Sequence, residues 1–249
     1  NISIISAAVV NLLRWFPVKW RWSIAILVVW LFVLLTGAAP SAVRAAIMGM
    51  LILFAGIVGR LADVTISLVL AATGMVASNP KILVGDVGFQ LSFLATVGII
   101  YLNPVGQHLL RRWPIAVRGL IIPTLAALIM VTPILAINFE RVSLIAPLTN
   151  ILVVPLVPVA MLLGFWAIVG GMIQTDLGLI LGWVAWAPLR LVTVLAEYFQ
   201  NFPGASIAVK INPGIWLVIY YLGIAVLLFR YYVQQIKTSP RPAGLAHLH

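Results

Sequence analysis

The sequence predicts an all-α polytopic integral membrane protein: a helical bundle with broken or re-entrant helices. Three observations carry that prediction. Of the 249 residues, 63% are hydrophobic and 8% charged, against roughly 45–50% and 25% in soluble domains, and the mean hydropathy is +1.18. Apolar stretches recur along nearly the whole length, each close to the roughly 20 residues that cross about 30 Å of hydrocarbon. Lipid offers no partner to backbone N–H and C=O groups, so open sheets are excluded, and no lumen-facing alternation points to a barrel.

The elements follow in order. Residues 1–13 are too short to span alone. They lack an initiator Met, a basic n-region and a cleavage site, so they read as part of a longer protein rather than as a signal peptide. Residues 14–22 interleave Lys19 and Arg21 with Trp15 and Trp20, the composition of a cytoplasmic headgroup boundary. The run 23–35 continues to Thr36, Gly37 and Pro40, where a break is predicted because proline removes a donor. A helix over 43–58 ends at Gly59-Arg60, and the spacing would let Arg60 and Asp63 meet on one helical face. The run 64–76 crosses back and stops at Ser78-Asn79-Pro80. Residues 86–101 follow, with Asp86 and Gln90 one turn apart on a shared face and Asn103-Pro104 as terminator.

A second basic segment, 107–118, holds Arg111, Arg112, Trp113 and Arg118. Residues 119–137 span again, and 138–141 form a turn. Residues 143–173 are too long for one simple span and contain Pro147, Pro155, Pro158 and Gly164, so they are bent, broken or re-entrant. Such helices survive in lipid when buried in protein or lining a wet cavity. Residues 177–200 are apolar except for a stripe of Arg190, Thr193, Glu197 and Gln200, which suits an internal helix or an amphipathic one at the interface. Residues 213–230 are the last clear span. The chain thus divides into a transmembrane domain over 1–235 and a tail over 236–249, read as disordered.

Fifteen basic residues against five acidic ones give a formal net charge of +10. The positive-inside rule accounts for much of that excess, and a polyanionic substrate would also exploit it. Counting crossings alternately puts the basic residues at 14–21, Arg60, 111–118 and the Arg230–Lys237–Arg241 end on one side, assigned to the cytoplasm. The turn at 174–176 carries no basic residue. That suggests one non-crossing helix between 143 and 200, which would move the tail outside. With no cysteine, thiol catalysis, thiolate metal sites and disulfides are excluded. His108, His247 and His249 have no metal-ligand spacing. No metal, cofactor or catalytic residue is assigned.

Ionisable groups inside apolar runs are costly and read by default as a site. Arg44 is the first choice for an anion contact, because it follows the Pro40 break near a helix start, where unpaired N–H groups also favour anions. The bland alternative is snorkelling to headgroups or bonding the carbonyls Pro40 frees. Arg60 with Asp63 is a helix-end ion pair or a mouth residue. Asp86 and Gln90 line a path or bond a broken helix. Asn150, beside Pro147 and Pro155, satisfies loose backbone groups or touches a ligand. Arg190 with Glu197 is an internal salt bridge or an interface edge. Pro40, Pro80, Pro155 and Pro158 are the predicted helix breaks.

The order and spacing of Pro40-Ser41-Ala42-Val43-Arg44-Ala45, Gly59-Arg60-Leu61-Ala62-Asp63, Asn79-Pro80 and Gly88-Phe89-Gln90-Leu91-Ser92-Phe93 resemble the channel (competence) domain of the ComEC family. Asn150-Ile151-Leu152-Val153-Val154-Pro155-Leu156 resembles that family's later asparagine-to-proline motif. The resemblance implies import of single-stranded DNA across the bacterial cytoplasmic membrane during natural transformation. It also implies membrane lipids, an upstream DNA receptor and a cytoplasmic helicase or motor as partners. Family members commonly carry an OB-like module and a metallo-β-lactamase-like nuclease module, and this sequence shows neither. Nuclease activity is therefore not carried over, and an exterior nuclease would also favour a tail outside.

A strand of phosphates needs a hydrated, positively biased path with surfaces indifferent to base identity. Arginines suit the first requirement. Trp15, Trp20, Trp22 and Trp113 read chiefly as belt anchors. No G-x-x-x-x-G-K-[ST] run is present, so any ATP-driven motor is another protein. The rival readings are a small-solute or ion-coupled carrier, which predicts an inverted repeat that is not visible, a membrane enzyme on lipid-linked substrate using Asp86 or Glu197 as base, and a scaffold.

Overall fold

The structure, a computed structural model, describes residues 18–57, 63–202, 204–209 and 213–238. The segment 1–13, Trp15 and the tail beyond 238 lie outside the described residues. In chain order the helices are α1 (Val18–Leu35), α2 (Pro40–Ile57), α3 (Val64–Ser78), α4 (Ile82–Gly85), α5 (Val87–Leu109) and α6 (Ile115–Phe139). After strand β1 (Arg141–Ser143) come α7 (Ala146–Val153), α8 (Leu156–Ile173), α9 (Thr175–Gln200), strand β2 (Ser206–Ala208) and α10 (Pro213–Thr238). Among the described residues, five helical segments are long and apolar enough to cross a membrane: Val87–Leu109, Val117–Phe139, Ala146–Ile173, Thr175–Gln200 and Gly214–Gln235. The chain is an all-α polytopic bundle.

Its helix ends follow local chemistry. Gly37 and Ala38 both take positive φ, +73° and +53°. That reverses the chain after α1, and α2 then opens on Pro40, whose fixed φ suits a first helical position. Asp63 is not helical: it sits extended before α3, and its carboxylate accepts the N–H groups of Thr65 at 2.7 Å and Ile66 at 3.2 Å. Asp86 likewise precedes α5 and accepts the N–H of Phe89 at 2.9 Å. Both are N-caps. Asp63 and Asp86 thus act from helix starts instead of from within a helical face, the Asp86 carbonyl taking the Gln90 N–H at 3.1 Å, and Arg60 lies outside the described residues.

Proline behaves differently from expectation at Pro104 and Pro158. Helix α5 runs through Pro104 to Leu109 instead of ending there. Pro123 and Pro133 lie inside α6. Pro158 is the third residue of α8 and breaks nothing, since the first-turn N–H groups have no intrahelical partner to lose. The breaks at Pro40, Pro80 and Pro155 are present, the last as a turn between α7 and α8.

Two seams are set by missing side chains. A Cβ on Gly98 of α5 would lie 2.3 Å from the carbonyl oxygen of Ala126 on α6, and one on Gly178 of α9 would lie 2.5 Å from the Cα of Gly171 on α8. Small residues let backbones approach this closely. Elsewhere the core is thin: Val29, Val33 and Ala46 join α1 to α2, and Met48, Leu68 and Ala71 join α2 to α3. Large apolar side chains such as Leu35, Ile115, Met172 and Phe229 stay exposed, as lipid-facing residues do.

Sequence reasoning missed the strands. β1 and β2 pair antiparallel, with Arg141 opposite Ala208 and Ser143 opposite Ser206. The pairing has a topological consequence. Because Leu144 N–H donates to Ala205 O at 3.1 Å and Val209 N–H to Glu140 O at 3.0 Å, the chain between them leaves and returns at one level of the bundle. Its helices therefore run out along the bundle and back, an even number of passes. Helix α9 runs back along α8 as a hairpin turned at Gln174, and α10 starts from the sheet end. At its other end Tyr231 packs on His108, ring centroids 6.2 Å apart, beside the end of α5. The expected single non-crossing helix is thus corrected. The end of α10 lies on the side of Arg111 and Arg112, as the charge count has it.

Candidate functional site

Arg44 sits one turn into α2, with its guanidinium turned toward α5. Its Nε donates to the Ser92 hydroxyl and one terminal nitrogen to the Thr96 hydroxyl. The same nitrogen is 3.8 Å from the Met48 sulfur, one turn along α2, and the guanidinium carbon lies 5.8 Å from the centroid of the Phe93 ring. Ser92, Phe93 and Thr96 occupy one side of α5, because residues four apart stack on a helix. The Thr96 hydroxyl is itself oriented by donating to the Ser92 carbonyl at 2.9 Å.

Every one of these contacts is neutral. Hydroxyl oxygens and a ring face solvate the cation without cancelling it, and no carboxylate among the described residues pairs with it. A guanidinium has five N–H donors in a planar fork, and the two hydroxyls take two of them. The site is a positive charge fixed in position, with donors left over. It can bond an anion's oxygens or hold two helices together.

The other predicted residues do not converge on it. Arg60 lies outside the described residues. Asp63 and Asp86 cap helices, and the Gln90 amide donates to the carbonyls of Leu83 at 3.0 Å and Val84 at 3.2 Å, fastening the end of α4 to the start of α5. Arg190 is exposed on α9, and no ion pair with Glu197 is present among the described residues. Asn150 was expected to satisfy backbone groups freed near Pro147 and Pro155. Its side-chain amide instead has no hydrogen-bond partner among the described residues and faces a cavity of about 420 Å³ between α5, α6 and α7. Leu91, Ala95, Ile99, Thr124 and Leu128 wall that cavity as well. Arg44 does not: its partners Ser92 and Thr96 stand on a different face of α5 from Leu91, Ala95 and Ile99. Two separate features therefore replace the single polar path expected from the sequence.

The hydroxyl partners of Arg44 were missed by sequence reasoning. The available signal was Ser92 and Thr96 spaced by one turn within an otherwise apolar helix. Among the described residues no group of three or more His, Asp or Glu is placed to hold a metal ion.

The family described as Competence protein matches residues 1–234. The ComE operon protein 3 of Bacillus subtilis (strain 168) is 30% identical over 176 residues, covering 67% of this chain and 22% of the relative's own length. The chain thus spans less than a quarter of that relative. No solved structure matches at a significant level. The motif block around Arg44, the helical membrane architecture and the match over nearly the whole length agree: the chain belongs to the Competence protein family, as a ComEC-type competence domain.

Proposed function

We propose that the chain is a conduit for single-stranded DNA across the bacterial cytoplasmic membrane during natural transformation, a transport part and not an enzyme. The observation that carries the reading is Arg44: a guanidinium in an apolar bundle, bonded only to neutral groups, with donors to spare. A phosphate moving along the seam between α2 and α5 would meet a charge already oriented and never neutralised by a fixed partner. Contacts of this kind must also release, and a single guanidinium binds weakly enough to do so.

Other residues take lesser parts. Arg60 is assigned to the mouth of the path. Asp63, Asp86 and Gln90 fix the helix ends around the seam and do not meet the strand, which their carboxylates would repel. Asn150 belongs to the cavity, and Arg190 to the exposed face of α9. The basic side bearing Arg111, Arg112 and Arg118 is placed in the cytoplasm by the positive-inside rule, and the end of α10 goes with it. An upstream DNA receptor, a cytoplasmic helicase or motor, and the OB-like and nuclease modules of a parent protein are the partners this reading requires.

The cavity favours one rival. The space of about 420 Å³ is an open groove, and a single unpartnered amide in apolar walls suits a small solute better than a nucleotide. Transformation with Arg44→Ala, Ser92→Ala/Thr96→Val and Asn150→Leu variants, each normalised to membrane abundance, tests the conduit. Under that reading Arg44→Ala lowers DNA uptake by about 100-fold, in the range of removing one strong charge-assisted contact, while the hydroxyl double variant keeps the charge and much of the uptake. If Arg44 is only a pin between helices, both fail alike. Normal uptake in Arg44→Ala sinks the proposal.

A further inference from the structure

We propose that α10 is a latch on the proline hinge of α6, its tyrosine hydroxyls supplying the hydrogen bond that Pro133 cannot. Proline has no N–H, so the carbonyl four residues earlier loses its helical partner; for Pro133 that carbonyl belongs to Ile129. The Tyr220 hydroxyl donates to the Ile129 oxygen at 2.8 Å, and the neighbouring Tyr221 hydroxyl donates to the Met130 oxygen at 2.8 Å. In lipid no water can take that place. The register is specific: a shift of α10 by one residue would carry both hydroxyls away from the carbonyls before Pro133.

Three turns along α10 the Tyr232 hydroxyl donates at 3.3 Å to the Tyr101 oxygen, in the turn before Pro104 of α5, although the carbonyl that Pro104 frees is that of Ile100. None of the described side chains of α10 is buried, so among the described residues polar bonds and ring contacts carry much of its attachment. A helix fastened by hydroxyls and not by a packed face can leave and return without refilling a core. Leu128 and Val131 before Pro133, and Leu135 after it, wall the cavity, so bending at the hinge changes the cavity width. The latch rests on the hydrogen bonds alone. Its role as a gate on transport rests on the conduit reading above.

A double-substitution cycle in detergent-solubilised protein tests it. Tyr220→Phe is expected to lower the thermal midpoint by roughly 2–4 °C. In a Pro133→Ala background, where position 133 regains a backbone N–H for the Ile129 carbonyl, the same substitution is expected to lower it by less than half as much. Equal shifts in the two backgrounds, or no shift in either, overturn the latch. Where Tyr220→Phe alone does not accumulate, the pair with Pro133→Ala must do so, and its failure counts against the proposal equally. DNA uptake is scored separately: coupling in the cycle with normal uptake in Arg44→Ala keeps the latch and discards the conduit.

Discussion

The α2–α5 seam and the α8–α9 hairpin are both helix contacts in an apolar chain, and they are built from opposite materials. Across the first, Arg44 reaches Ser92 and Thr96, so the fit is set by which atoms donate and accept. Across the second, Gly171 and Gly178 bring two backbones together, and the contact is set by what is absent. In hydrocarbon, where association gains nothing from excluding water, these are two of the available sources of helix affinity. They differ in what they leave behind: the glycine seam is complete in itself, whereas the arginine seam retains a charge and unused donors. Only the arginine seam has a chemical reason to interact with something else.

The largest expected effect comes from breaking the complete seam. Gly178→Val would drive a branched side chain into the Gly171 backbone, which cannot yield as a flexible side chain would. A loss of about 3 kcal/mol is expected, at the upper end for overpacking, read as a lowered thermal midpoint and reduced membrane abundance. DNA uptake should fall only in proportion to abundance. Uptake lost from well-folded protein would instead place the hairpin on the transport path.

Arg44→Ala comes next in stability and reverses the pattern. It removes two charge-assisted bonds but leaves hydroxyls that can turn to backbone carbonyls, so the net cost is about 2 kcal/mol, while uptake collapses far beyond any fall in abundance. Comparing the two variants on one plot of uptake against abundance separates architecture from chemistry. If both points lie on the same line, the contrast between the seams has no functional meaning.

A third and smaller effect concerns the caps that flank the arginine seam. Asp63→Ala and Asp86→Ala are each expected to cost about 1 kcal/mol, because the N–H groups of Thr65, Ile66 and Phe89 lose their acceptor. Asp→Asn at either position should restore most of the stability, since an amide oxygen caps as well. Unfolding of the solubilised variants checks both. Rescue by Asn in stability but not in uptake would give the carboxylate a role the capping geometry does not.

These residues also show what the sequence could and could not disclose. Most spans were legible because hydropathy is a one-dimensional quantity, and the Pro40 and Pro155 breaks because turn chemistry is local; the run 64–76, read as crossing back, forms a helix of 15 residues, short of a candidate span. Arg44 stood out for the same reason, as a charge out of place. Its partners did not: Ser92 and Thr96 are 48 and 52 residues away, and nothing in an apolar run says which face meets which neighbour. Asp63 and Asp86 drew attention as carboxylates, yet their position just before apolar runs was already the signature of an N-cap. Pro104 was read as a terminator because soluble-protein rules end helices there; Tyr232, more than a hundred residues later, bonds the carbonyl of Tyr101 within the turn it disturbs. The strands are three residues each, too short for a period to register, and their pairing is what decides on which side α10 ends.

Arg190 supplies the smallest expected effect and the sharpest control. It is an arginine in an apolar helix of the hairpin, as Arg44 is in the seam, so a simple count of charges in spans ranks the two together. The surroundings differ. Arg190 is exposed, and Thr193 bonds only its backbone carbonyl, at 2.8 Å. Arg190→Gln is therefore expected to change stability by no more than about 0.5 kcal/mol, and to leave uptake at the level of the unaltered protein once abundance is matched. A loss of uptake comparable with Arg44→Ala would mean that positive charge anywhere in the bundle supports passage, and that the place of Arg44 between α2 and α5 adds nothing. An unchanged level would show that what matters is a guanidinium held at a fixed position within the bundle, which is the property that distinguishes one region from the other.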